Sequence, residues 1–347
     1  MSQQTHLEEN KMPISPDLPP SRASQRAKKA RRLQRRKRDT FTPILEAGLT
    51  PRDLVILEVV ADYRAATAQQ IVSVVQHRMP SQRLDNGESV TTSPQRTTRR
   101  LRVLYDSGYL ARPKAQDYLL HRSLIRSPIH TLDRRGGEYL LTQGYEERTV
   151  KSGMNPLHSA QFMLHELGVA EFHRAIELGL APHGVRIAFW RNAHRDWIAH
   201  PKDANGQQLV TNPDSYFCLE HASSNRRLYF FLEYDRGNKG LKRMRETYRA
   251  YCLLHSTGLY RDKPYEMAMK GYRVITATEF KNPVSGNARK DRLQSLRDQA
   301  DEAAPDNLKG MFLFIREGVY LDDIMAVAQP VFQTIKGDAH KEKLLTI

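Results

Sequence analysis

The chain has 347 residues, with 54 Lys plus Arg against 39 Asp plus Glu and a formal net charge of +15 at pH 7. That length accommodates two domains that each bury a core, and that charge points to a polyanionic partner, above all nucleic acid. No apolar stretch approaches the ~18 residues of a membrane helix, MSQQTHLEEN carries no signal-peptide core, and Cys218 and Cys252 form no CxxC pair. The sequence thus argues against a membrane protein and a structural zinc site. It reads as a soluble cytoplasmic protein with two buried thiols.

Residues 1–44 read as a disordered basic arm. Its segment 21–38, SRASQRAKKARRLQRRKR, holds ten Lys or Arg and no acid, so the rest of the chain keeps +5 (15 minus 10). Two roles stand for the arm: a phosphate clamp that releases counterions, or a solubilising tail.

Residues 45–145 are expected to form a winged helix-turn-helix. In TPRDLVILEVVADY, Thr50 caps a helix, Pro51 suits its first turn and Asp53 its positive end. Thr67 and Gln70 fit a capping box for a second helix. A polar insert, RMPSQRLDNGESVTT, follows. The third helix, SPQRTTRRLRVLYDSG, puts Thr97, Leu101, Leu104 and Tyr105 on one face. Gln95, Arg96, Arg99, Arg100 and Arg102 are its candidate DNA contacts, with Arg96 and Arg99 opposite the apolar face. Two short strands, YLAR and SPIHTLD, joined by a basic loop, complete the order in which the third helix reads double-stranded DNA.

A linker is expected near 145–156, then a mixed-sheet domain over 157–325 and a tail over 326–347. Periodicity gives the order αβββαβαβ, so the whole chain reads as α/β (α+β). Its first helix, HSAQFMLHELGVAEFHRAIELG, shows a stripe of Ala160, Leu164, Leu167, Ala175 and Leu178. Glu171 falls on that stripe, where an acid needs a partner. The partner is either the acidic cluster described next or a nearby Arg. His158 and His165 share a face and read as polar contacts to the sheet rather than a metal pair.

The strand LYFFLEYD ends its apolar run in Glu233 and Asp235, which share parity and so one sheet face. Asp214, after Pro213, opens the preceding strand. Three carboxylates gathered at one strand end would repel each other, and a divalent cation relieves that. Oxygen ligands favour Mg²⁺ or Mn²⁺. The competing reading is a structural network in which Arg236, Lys239 and Arg243 neutralise the acids.

Pro213-Asp214 and Glu233-x-Asp235, in this element order, resemble the PD-(D/E)xK nuclease-like fold over residues 157–316. That resemblance implies Asp214 and Glu233 as metal ligands and Asp235 as a third ligand or base; Glu171 stays a candidate site acid from its stripe alone. It also expects a lysine where Asp235 stands, and Lys239 or Lys242 on the following helix is the candidate replacement. Taken whole, residues 45–320 resemble the bacterial plasmid replication-relaxation family, through Glu233-Tyr234-Asp235-Arg236-Gly237, the Pro-Asp strand and the His158–Leu167 segment. This implies work on plasmid or other mobile DNA, as an endonuclease-like protein or as a non-enzymatic accessory or regulator. Plasmid replication or transfer proteins, and a second copy of the chain in a homodimer, are the implied protein partners. No HxH triplet and no GxxxxGK[ST] occurs, which argues against a tyrosine relaxase and an ATPase.

Overall fold

The structure, a computed structural model, describes residues 42–80, 82–83, 89–90, 93–192, 198–224, 226–262, 264–265, 267, 271–279 and 291–342. Almost all of the expected basic arm and part of the polar insert lie outside these residues. The described residues fall in one compact unit, 36–347. Among them no helix is long and apolar enough to cross a membrane.

The chain begins with α1 (Pro51–Tyr63), β1 (Ala66–Thr67) and α2 (Ala68–Arg78). Both helices start at capping boxes, Thr50 with Asp53 and Thr67 with Gln70. Each box satisfies two backbone donors that a helix start leaves open. Past β2 (Gln82–Arg83) and β3 (Ser89–Val90) comes α3 (Pro94–Asp106), which buries Thr97, Leu101, Leu104 and Tyr105. β4 (Leu110–Ala111) leads through a short helix, α4 (Gln116–His121), to β5 (Ile129–Leu132). That helix stands where a loop was expected, and the Gln116 side chain ties it to β5 through both backbone groups of Ile129. The strands form a small antiparallel sheet in the order β1-β5-β4.

The expected linker is helical. α5 (Arg134–Thr142) is followed by α6 (Glu147–Gly153). Gly136 and Gly137 lie where α5 packs against its neighbours with no room for a side chain. A Cβ would meet the Tyr109 carbonyl oxygen at 2.2 Å from Gly136, and Met154 Sδ at 2.4 Å from Gly137.

The second half follows the predicted order: α7 (Ala160–Leu180), β6 (Val185–Asn192), β7 (Ser215–His221), β8 (Arg227–Asp235), α8 (Leu241–Ser256), β9 (Arg273–Thr278), α9 (Arg292–Ala303) and β10 (Phe312–Arg316). The chain is a mixed α/β fold. Residues 326–347, expected as a tail, instead supply an edge hairpin after α10 (Glu317–Asp322): β11 (Phe332–Thr334) and β12 (Gly337–Glu342). The sheet runs β12-β11-β10-β9-β8-β7-β6. β6, β7 and β8 are antiparallel neighbours, whereas β8, β9 and β10 run parallel.

The central run of β8, residues 228–232, is apolar because both faces of the strand are covered there. Tyr229 and Phe231 pack with Met244, Tyr248 and Leu296 of α8 and α9. Phe230, Leu232 and Tyr234 pack with Val169, Phe172 and Ile176 of α7. Cys218 and Cys252 are free and buried, and burial pushes their thiols up to about 11 and about 12.

α7 is buried on two faces. One meets the sheet, while Met163, Leu167 and Ala170 meet the first half of the chain. The single predicted stripe is therefore only partly right, and Ala160, Leu164 and Leu178 are half-buried. A continuous ring stack crosses this layer: Phe230 on Phe217 (5.1 Å), Phe217 on Trp190 (4.5 Å), Trp190 on His173 (3.9 Å) and His173 on Tyr63 of α1 (4.1 Å). Trp190 is thus a core residue.

Burial holds the His173 imidazole down at about 3, against the opposing pull of Glu177. The unfolded chain takes up this proton near pH 6.5 and the folded chain does not. Its contribution to stability is therefore complete above that pH and is lost on acidification, by up to ~1.4 kcal/mol per pH unit. His173→Phe, which keeps a stacking ring, is expected to flatten the fall in unfolding free energy between pH 6.5 and 4. An unchanged slope in urea titrations would contradict this assignment.

Candidate functional site

The site forms where β7 begins and β8 ends. The Asp214 amide donates to the Leu232 carbonyl (2.9 Å), which extends the β7–β8 ladder by one residue. The Tyr234 amide donates back to Asp214 Oδ2 (2.7 Å). The other oxygen, Oδ1, lies 3.1 Å from His165 Nε2 of α7. Glu233 points to the opposite side of β8 from Tyr234 and is 1% exposed. The Tyr251 hydroxyl of α8 donates to its Oε1 (2.7 Å), and the Lys239 ammonium to its Oε2 (3.0 Å).

Lys239 belongs to the loop between β8 and α8, not to the helix as expected. Gly237, at φ +73°, turns the chain into the left-handed region. That turn lets the loop fold back, so Lys239 meets an acid six residues earlier. Lys242 is exposed on the first turn of α8.

The two carboxyls are pushed apart. Burial alone would raise Asp214, but Lys239, His165 and the Tyr234 amide together hold it below its ordinary value. Burial outweighs Lys239 at Glu233, and the Asp214 charge adds to it, so Glu233 lies above its ordinary value. Of the two, Asp214 is the carboxyl held more firmly in its charged form. The Glu233 charge raises Lys239 against burial, which keeps its ammonium charged. Burial lowers His165, yet Asp214 more than offsets it, and the imidazole titrates above its ordinary value.

Asp235 does not join this cluster. It is 2% exposed and takes a two-point contact from Arg292 of α9, at 2.7 and 2.8 Å. The same guanidinium donates to the Lys239 carbonyl (2.7 Å). Asp235 thus anchors the loop that carries Lys239, through an arginine 57 residues away. Parity placed it correctly on the Glu233 face, but two residues along a strand carry it past the cluster.

Glu171 is also elsewhere. Arg174 and the Gln70 amide (2.8 Å) hold it on the face of α7 that meets α2. This is the arginine-paired alternative. Its neighbours in kind are Glu166, paired with Arg64, and Glu177, paired with Arg78. Of these, Arg78 and Glu177 line a cavity of about 390 Å³ together with Asp62, His173 and Trp190, and there Arg78 pairs with both acids. His158 precedes α7 and is exposed, so it shares no helix face with His165.

On α3, Gln95, Arg96 and Arg99 are exposed on one side. Arg100 turns inward to the buried Asp53 (2.6 Å) and the Gly48 carbonyl, and Arg102 to Asp106 (2.8 Å). Arg100 thus ties α3 to α1, while Arg102 pairs within α3 itself.

Sequence reasoning missed His165, Tyr251 and Arg292 as site residues. His165 had a signal, since it shares a helix face with the sheet-packing Val169, Phe172 and Ile176. Arg292 had none, because its partner lies beyond an entire helix and strand.

A cleft of about 310 Å³ opens beside the cluster, lined by Ser159, Phe162, His165, Tyr234, Arg236 and Lys239. Among the described residues, no three His, Cys, Asp or Glu side chains come together as a metal-holding group. Two carboxylates, Asp214 immediately before β7 and Glu233 near the end of β8, do share Lys239 as an electrostatic neighbour. Such a pair suits a hard cation that keeps several waters.

No curated protein and no solved structure matches this chain. The sequence model of the replication-relaxation family matches residues 57–297, which is most of the chain and includes the second half of α1, α3, Asp214, Glu233 and Lys239. The chain belongs to the replication-relaxation family, whose role lies in the replication and relaxation of plasmid and other mobile DNA.

Proposed function

We propose that this protein binds plasmid or other mobile DNA through its first half and hydrolyses a phosphodiester in its second. The observation that carries the reading is the Lys239 ammonium, 3.0 Å from Glu233 Oε2 and beside the ionised Asp214. Acid, acid and lysine are the side chains of a PD-(D/E)xK centre, with the lysine supplied by the loop rather than by position 235. The helix–three-strand–helix–strand order around them supports the same reading.

Phosphodiester hydrolysis needs an oriented water and positive charge at the phosphate. Lys239 supplies charge and a donor for the water. His165 and the Tyr234 amide orient Asp214, while Tyr251 orients Glu233. Asp214 and Glu233 would hold Mg²⁺ or Mn²⁺, and a cation bound there supplies Lewis-acid stabilisation of phosphate charge. α1, α2, α3 and the β1-β5-β4 sheet follow the order of a winged helix. Gln95, Arg96 and Arg99 are the residues of α3 placed to meet double-stranded DNA.

A second reading has its own support. Each oxygen of Asp214 and Glu233 already has a partner, and Asp235 is fully engaged by Arg292. A degenerate nuclease fold that clamps DNA without cutting fits those contacts. Supercoiled plasmid incubated with Mg²⁺ or Mn²⁺ separates the two. Nicked or linear product is expected from the wild type, and it is expected to be lost in Asp214→Ala, Glu233→Ala and Lys239→Met. An inert wild type that still binds DNA would establish the clamp instead.

A further inference from the structure

Phe162 lies in the first turn of α7 and is 38% exposed, the exposed phenylalanine among the described residues. It lines the cleft together with His165 and Lys239. One face of its ring is covered by the guanidinium of Arg64, 5.1 Å from the centroid, and Arg64 is itself 4% exposed. A cation–π contact therefore holds the ring from behind. The half that remains open belongs to the cleft. Phe162 and His165 are three apart on the helix, so their Cβ atoms are ~5–6 Å apart. His165 in turn touches Asp214. An open aromatic face thus stands one residue contact from the acidic cluster, in a cleft that also offers an ammonium.

We propose that this cleft takes an unpaired nucleotide of single-stranded DNA, its base stacked on Phe162 and its phosphate directed to Lys239. The proposal deepens the phosphodiester reading above and rests on it for the placement of the phosphate. A base within continuous duplex has both faces covered by its neighbours and offers none to Phe162. An unpaired base offers one, whatever its identity, because every base has a π face. The basic character of the chain favours the strand over an apolar peptide as occupant. The buried Arg64 keeps the ring fixed, so little conformational freedom is lost on stacking.

The test uses the full chain carrying Glu233→Gln, which leaves the strand uncut, with Mg²⁺ present. A single-stranded oligonucleotide containing 5-iodouracil is irradiated on the protein, and the crosslinked peptide is located by mass spectrometry. Crosslinking at Phe162 is expected, and it is expected to vanish when the oligonucleotide is annealed to its full complement. Affinity for the single strand should fall about 5- to 150-fold in Phe162→Ala, the ~1–3 kcal/mol of one base–aromatic stack. Phe162→Tyr should retain it. Crosslinks confined to other residues, together with unchanged affinity in Phe162→Ala, would overturn the proposal. Because the readout is binding, a protein that cuts nothing but crosslinks at Phe162 refutes the nuclease reading and leaves this one standing. A protein that nicks plasmid without that crosslink does the reverse.

Discussion

Gly168→Ala is expected to destabilise the protein by about 3 kcal/mol, at the upper end of what overpacking costs, and to lower Tm by roughly 5–10 °C. The added methyl would lie 2.0 Å from Tyr234 Cζ and 2.3 Å from its hydroxyl oxygen. Tyr234 cannot swing aside cheaply. It is 3% exposed, and its hydroxyl donates to Glu317 (2.7 Å). Its ring also meets His165 edge-on at 5.6 Å. Either α7 lifts from the sheet or the Tyr234 ring leaves its partner. Both routes disturb the Tyr234 amide that donates to Asp214, so the variant should also lose DNA-directed activity. Two controls isolate the cause. Gly310→Ala, where the new methyl meets nothing within 4 Å, should be near neutral. Gly168→Ala combined with Tyr234→Leu, which removes the atoms the methyl meets, should be less destabilised than the two singles added together. Strict additivity in urea unfolding would show that the collision is not the cause.

Local chemistry was the most legible part of the sequence. The capping boxes at Thr50 and Thr67, the buried face of α3 and the β7–β8 hairpin each depend on residues close in the chain. The same holds for Asp214, Glu233 and Lys239, which all lie within one hairpin and its exit loop. Legibility ended where a position answers to two neighbours at once. α7 shows one apolar stripe in sequence but has two buried faces, so the stripe left Glu171 open between the acidic cluster and an arginine, and it is Arg174, together with Gln70 of α2, that holds it. Asp235 carries an ionisable side chain on the right face at the wrong height, and only Arg292, from a distant helix, explains it. Gly136 and Gly137 of α5 have no role legible in the sequence. Their function is close approach, which has no signature distinct from a turn. The edge strands β11 and β12 are short, and the sheet that recruits them is assembled from residues far upstream.

The acids of α7 also make the two halves of the chain one body. Glu166, Glu171 and Glu177 each accept from a residue of the first half: Arg64, Gln70, and Arg78 with Tyr63. Asn192 of β6 donates to the Asp62 carbonyl (2.6 Å), and Tyr145 to the Asp62 carboxylate (2.5 Å). α3, borne on such a scaffold, is held at a fixed offset from Asp214 and Glu233. Under the proposed function, the distance between DNA-binding site and cut site is then set by protein geometry rather than by linker length.

Arg64→Met is the single change expected to test that coupling most severely, at about 3–5 kcal/mol, the usual cost of breaking a buried ion pair from one side. Arg64 and Glu166 meet at 3.1 Å, with side chains 5% and 6% exposed. Arg64 closes α1 at φ +60°, a strained conformation for a residue with a side chain, so the pair also holds the chain at that corner. Without the guanidinium, Glu166 is a charge buried alone. Burial already raises the Glu166 carboxyl above its ordinary value, and Arg64 is the largest influence opposing that rise. In the variant the carboxyl should rise further and bind a proton. The sign follows: a raised folded value means the folded state holds protons the unfolded state has released. The penalty is therefore full at neutral and alkaline pH and shrinks as pH falls toward the unfolded value of ~4.3. Adding Glu166→Leu removes the lone charge, and the double variant should recover most of the lost stability and lose the pH dependence. A double variant as unstable as Arg64→Met alone would mean that Arg64 acts through Phe162 and the α1 corner, not through Glu166. That outcome would also predict weakened single-strand binding from Arg64→Met, because the ring it supports would have lost its backing.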